Sequence, residues 1–149
     1  MTEVNLTQAE ADALIAMQKR RADSTNLNYP GLGGRVTAPL VSVDGKERFL
    51  LDVWRSKIIL GKGTYQNRGR KTVILARLDF GGAPHRNPDG KEIDIPHLHL
   101  YREGFGDKYA FPVPPDKFSN PSDPWLTLED FMRFCNIIEQ PIIIRGLFT

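Results

Sequence analysis

Val41-Ser42-Val43-Asp44-Gly45-Lys46-Glu47-Arg48-Phe49-Leu50-Leu51-Asp52-Val53-Trp54-Arg55 carries the decision on fold. Asp44-Gly45 between two runs of period two is a strong hairpin signal, because a tight primed turn needs the positive φ angles that these residues tolerate. Phe49, Leu51 and Val53 fall on one face of the second strand, and Leu50, Asp52 and Trp54 on the other. The run therefore predicts an antiparallel sheet.

Working toward the C-terminus, Lys57 to Leu60 reads as a further short strand, and Thr64 to Arg70 as a polar, basic turn. Lys71 to Phe80 is the next strand, with Ile74, Ala76, Leu78 and Phe80 on its apolar face and Arg77 and Asp79 opposite. A turn-rich loop, Gly81 to Gly90, leads to a strand from Ile93 to Arg102, and Lys108 to Val113 adds another. Pro112, Pro114, Pro115, Pro121 and Pro124 then keep the chain extended. Toward the N-terminus, Thr7-x-x-Glu10 is a capping box opening a helix over 7–21. Ser24 to Arg35 is loop, and its Gly31-x-Gly33-Gly34 precedes a strand rather than a helix, so it is no phosphate loop. Thr127 caps a second helix over 127–138, with Leu128, Phe131, Met132 and Cys135 on the buried stripe. Pro141 to Ile144 closes the chain as a short strand or tucked tail.

The expected fold class is α+β: one domain over residues 1–149, with a curved antiparallel meander of five or six strands over 36–113 and a helix near each end. A chain of 149 residues suits one domain, and 40% hydrophobic with 26% charged residues is ordinary globular usage. No apolar run approaches the roughly 18 residues needed for a membrane span. Met1 to Thr7 lacks the basic and apolar regions of a secretory signal, and the lone Cys135 suits a reducing compartment, so the expected location is cytoplasmic.

Charge is unevenly placed. Lys46 to Arg77 holds nine cations against Glu47 and Asp52, a local +7, whereas Asp116 to Glu139 holds two against five, a local −3. A positive face favours polyanions. Arg55, Lys57, Lys62, Arg68, Arg70 and Lys71 are the expected nucleic-acid contacts.

All three histidines lie between Arg77 and Tyr101. In Ile95-Pro96-His97-Leu98-His99-Leu100-Tyr101, alternation puts His97, His99 and Tyr101 on one face, toward Arg77 and Asp79 on the neighbouring strand. His85 lies in the connecting loop. Metal-independent RNA cleavage needs a base for the 2′-hydroxyl, an acid for the leaving oxygen and a cation on the phosphate. His97 and His99 are the expected acid–base pair, Arg77 the phosphate ligand and Tyr101 an orienting group, with His85 and Asp79 as possible additions. This reading needs no cofactor and no metal.

A rival chemistry is metal binding. His97-x-His99 followed by Glu103 resembles the first half of the pattern of cupins, but no histidine follows His99 to supply the second half. Two histidines on a strand face that only bond their neighbours are the third possibility.

Arg77-Leu78-Asp79, Pro84-His85-x-Asn87-Pro88-Asp89-Gly90, Pro96-His97-Leu98-His99-Leu100-Tyr101-x-Glu103-Gly104 and Leu128-x-x-Phe131-Met132-x-x-Cys135-Asn136-Ile137 together resemble an uncharacterised family of small prokaryotic proteins found near mobile elements and phages. The resemblance implies a role in genetic conflict, as toxin, antitoxin partner or anti-defence factor, and carries no catalytic residue. The expected function is thus a small endoribonuclease, the toxin of a toxin–antitoxin pair, with RNA and a cognate antitoxin or defence protein as partners. A non-enzymatic inhibitor and a cupin-like metal protein are the alternatives.

Overall fold

A computed structural model describes residues 5–146. Helix α1 (Gln8–Ala16) opens with the Thr7–Glu10 capping box complete on both sides. It ends five residues earlier than its charge pattern predicts, because Lys19 is pulled inside. Lys19 Nζ donates to the carbonyls of Ile15, Met17 and Cys135 at 2.7–3.0 Å, and Lys19-Arg20-Arg21 becomes strand β1 (Lys19–Arg21). Burial lowers the Lys19 ammonium to about 8, and the Cys135 thiol is in turn pushed up to about 12 by its own burial. Three carbonyl partners use all three donors of the charged form.

Strand β2 (Asn26–Asn28) lies within the expected loop and pairs in parallel with the last strand, β12 (Ile142–Ile144). The meander follows: β3 (Arg35–Ser42), β4 (Arg48–Arg55), β5 (Gly63–Gly69), β6 (Val73–Phe80), β9 (His97–Leu100) and β10 (Ala110–Pro112). Between β6 and β9 sits a small hairpin of β7 (His85–Arg86) and β8 (Glu92–Ile93). Helix α2 (Pro124–Phe134) and β11 (Ile137–Glu139) complete the chain. β1 extends the meander beyond β3, and β11 joins it in parallel. The sheet therefore has eight strands, more than the five or six expected, and stays open.

Several local readings are corrected. The β3–β4 connection is not a two-residue primed turn: Val43 to Glu47 form a longer loop in which only Gly45 has a positive φ. Left-handed φ values occur instead at Arg70 and Lys71, between β5 and β6. Lys57 to Leu60 is an exposed loop, closed by Ser56 N–H to the Lys62 carbonyl, and Thr64 to Arg70 is mostly strand β5. On β6 a bulge shifts the register, so Val73 and Leu75 turn inward and Ile74 outward. The N-cap of α2 is Asp123, whose carboxylate accepts from the Trp125 and Leu126 amides, and Thr127 lies inside the helix.

One face of the sheet is apolar. Leu40, Leu51, Tyr65, Leu78 and Leu98 share a buried cluster with Ala11 and Leu14 of α1 and Leu128, Phe131 and Met132 of α2. Both helices thus cover that face, and the opposite face is left to polar side chains. No helix of the described residues is long and apolar enough to cross a membrane.

Candidate functional site

Strand register dictates what the polar face contains. Cross-strand partners point the same way. One row runs Thr37, Asp52, Gln66, Arg77, His99, and the next runs Arg35, Trp54, Thr64, Asp79, His97. Two rows of polar side chains on five adjacent strands make a floor. Above it opens a cleft of about 540 Å³, lined by Arg35, Trp54, Lys62, Thr64, Gln66, Asp79, His85 and His97 among others.

Its walls are loops pinned in place. Gly81 has φ +70°, and a Cβ there would come within 2.6 Å of the Gly61 carbonyl, so glycine lets the β6–β7 connection lie against the β4–β5 loop. The β7–β8 hairpin is clamped to β10 by the Asn87 side chain, which donates to the Ala110 carbonyl and accepts from the Ala110 amide. An asparagine amide here mimics one rung of a strand ladder and covers the sheet edge. His85 rides on this hairpin, its Nε2 2.7 Å from the Lys108 carbonyl.

All three imidazoles converge. Ring centroids lie 4.6 Å apart for His85–His99, 4.9 Å for His97–His99 and 5.7 Å for His85–His97. His97 is 3% exposed and His99 0%, and only His85 and His97 line the cleft, so of the expected acid–base pair His99 lies buried behind it. His99 Nδ1 sits 2.7 Å from the Asp107 carbonyl. A carbonyl only accepts, so Nδ1 carries the proton, and in the neutral ring Nε2 is a lone pair. By the same logic His85 presents a free Nδ1.

Asp79 is the hub. Its Oδ2 lies 3.3 Å from His97 Nε2, 3.2 Å from His99 Nε2 and 3.3 Å from Arg77 Nη2, while Oδ1 accepts from the Thr64 hydroxyl at 2.9 Å. Burial by itself would raise its carboxyl, but hydrogen bonds from His97 and from His99 in its protonated form, then Arg77 and Thr64, outweigh it and hold it well below the carboxylate range. Beside it, Asp52 accepts from Arg68, Thr37 and Gln66; burial raises its carboxyl as well, and those hydrogen bonds bring it down.

One expected placement is corrected. Tyr101 does not share the histidine face. β9 stops at Leu100, the period of two is lost, and Tyr101 turns into the core, where its hydroxyl donates to the Leu6 carbonyl and accepts from the Leu6 amide. Arg77 lines the cleft, with Nη1 paired to Asp107 at 2.5 Å and Nη2 against Asp79 and His99. Glu103, the third residue of the cupin-like pattern, swings away to accept from the Gln8 amide.

The expected nucleic-acid contacts divide. Arg68 is tied to Asp52 and Arg70 to Glu47. Arg55 stacks over Tyr29 at 5.5 Å and donates to the Pro30 carbonyl. Lys57, Lys62 and Lys71 have no ion-pair partner among the described residues, but Lys71 lies past the far end of β5, roughly 20 Å from Lys62 at the strand rise. Lys62 alone of the six lines the cleft, joined there by Arg35.

Arg35, Trp54, Thr64 and Gln66 were not singled out by the sequence. Thr64 and Gln66 were hidden because β5 carries glycine and asparagine at inward positions (Gly63, Asn67, Gly69), which masks its period of two.

A family model described as a family of unknown function (DUF6978) matches residues 6–137. No curated protein and no solved structure matches the chain.

Proposed function

The chain belongs to that family of unknown function, and on the geometry of the polar cleft we propose that it cleaves single-stranded RNA by metal-independent histidine acid–base chemistry. One observation carries the reading: His85 and His97 open on the same cleft as Trp54, Arg35 and Lys62. Trp54 offers a half-buried ring for a nucleobase, and stacking on aromatic side chains is how unpaired bases are commonly held. Arg35 and Lys62 supply the charge for a phosphate. His97, oriented by Asp79, and His85, oriented by the Lys108 carbonyl, divide the base and acid roles.

In this reaction one imidazole takes the 2′-hydroxyl proton, and the 2′-oxygen attacks phosphorus. The other imidazole protonates the departing 5′-oxygen, leaving a 2′,3′-cyclic phosphate and a 5′-hydroxyl. His99 lies behind the pair, fixed by Asp107, and acts as a positioning residue. Replacing His97 or His85 with alanine should slow cleavage of an unstructured oligoribonucleotide by about 10²- to 10⁴-fold each. Full activity in the double variant would sink the proposal.

The second reading is a protein-docking surface, as expected of a toxin held by an antitoxin or of an anti-defence factor. It is favoured by the β4–β5 loop at the cleft rim, where Ile58 is 91% and Leu60 79% exposed. An interface there would be lost on Ile58→Asp, which leaves the histidines untouched.

A further inference from the structure

We propose that Asp79, His97 and His99 form a binding site for a divalent transition-metal ion, and that Arg77 occupies its cation position when no ion is bound. The ligand atoms of these three residues lie within 4.8 Å of one another. Two of the separations, 3.2 Å for His99 Nε2 to Asp79 Oδ2 and 3.3 Å for His97 Nε2 to Asp79 Oδ2, match the edge of about 3.3 Å of a tetrahedron with metal bonds near 2.0–2.1 Å.

The tautomer points the same way. Because His99 donates Nδ1–H to the Asp107 carbonyl, its neutral ring turns a lone pair toward the Asp79 carboxylate. Two acceptors facing each other need a cation between them. Arg77 Nη2 supplies it, 3.1 Å from His99 Nε2 and 3.3 Å from Asp79 Oδ2. A histidine that gives its second N–H to a backbone carbonyl is the usual outer support of a metal ligand. Arg77 has somewhere to go: its Nη1 already pairs with Asp107. His97, 3% exposed, leaves Nδ1 without a hydrogen-bond partner among the described residues, so its ring can rotate without breaking a bond on that side. Imidazole and carboxylate donors suit zinc and cobalt better than magnesium or calcium. Asp79 and His97 line the cleft, so a fourth position faces solvent.

Resting on the reaction proposed above, the consequence is regulatory. An ion bound through His97 ties up the lone pair needed for proton transfer, so metal silences RNA cleavage. Arg77 and the ion compete for one place, so weakening the arginine should strengthen the metal.

The test is titration of the full chain with Co²⁺, read by its visible ligand-field absorption, followed by displacement with Zn²⁺. One four-coordinate Co²⁺ per chain is expected, lost in Asp79→Asn and His99→Ala and bound about tenfold more tightly in Arg77→Gln. Absence of binding to the wild-type chain would overturn the site, as would undiminished binding in His99→Ala. Oligoribonucleotide cleavage measured alongside separates the two claims. Suppression by Zn²⁺ supports the silencing role, and stimulation overturns it. A protein that binds cobalt but never cleaves RNA would keep the site and remove the proposed reaction. Cleavage without any metal binding would do the reverse.

Discussion

Tyr101 and Asp79 illustrate how single residues divide between structure and chemistry. Tyr101 was expected beside the histidines, yet its hydroxyl closes both backbone groups of Leu6 inside the core. Tyr101→Phe should therefore lower stability by about 1–3 kcal/mol, the cost of leaving buried partners unpaired, while RNA cleavage per folded molecule stays unchanged. Urea midpoints together with kcat measure the two effects. Asp79 has a folded-state pKa depressed below its unfolded value, so its contribution to stability is fully present above about pH 4. That contribution is lost as pH falls toward the folded value. Asp52 is shifted with the same sign. Unfolding midpoints measured down the acid limb should fall less steeply in Asp79→Asn than in the wild type.

Among the elements, the β5–β6 turn shows strain that the sequence did not announce. Arg70 and Lys71 both hold positive φ, where a side chain is costly and glycine is not. Arg70 is compensated by its pair with Glu47, and Lys71 has no such pair among the described residues. Lys71→Gly should raise stability by up to about 1 kcal/mol, visible as a higher thermal midpoint. What was legible along the chain follows the same division. Strands β3, β4, β6 and β9 announce themselves through alternating apolar residues. Strand β5 does not, because Gly63, Asn67 and Gly69 fill its inward positions. β1 looked like the cationic end of a helix, since nothing local says that Lys19 will be buried against carbonyls of both helix ends. The histidine hairpin was legible because strand alternation alone brings Arg77, Asp79, His97 and His99 to one face. Tyr101 was misplaced where that alternation stops.

At the scale of the whole molecule, an open eight-stranded sheet with both helices on one face leaves the other face to polar side chains among the described residues. The charge surplus around that face is smaller than the sequence total suggests, since Arg68 and Arg70 are neutralised by Asp52 and Glu47. What remains at the cleft is Arg35 and Lys62, enough for one phosphate rather than a long tract of backbone. Hence a short single-stranded segment is the expected substrate. In the proposed reaction the 2′-hydroxyl beside the scissile phosphate is the nucleophile. That role is tested most directly with an oligoribonucleotide in which the 2′-hydroxyl at the mapped cleavage position is replaced by hydrogen. Cutting at that position should stop while neighbouring positions remain substrates, and the all-ribose product should end in a 2′,3′-cyclic phosphate. Undiminished cutting at the deoxy position would contradict that role.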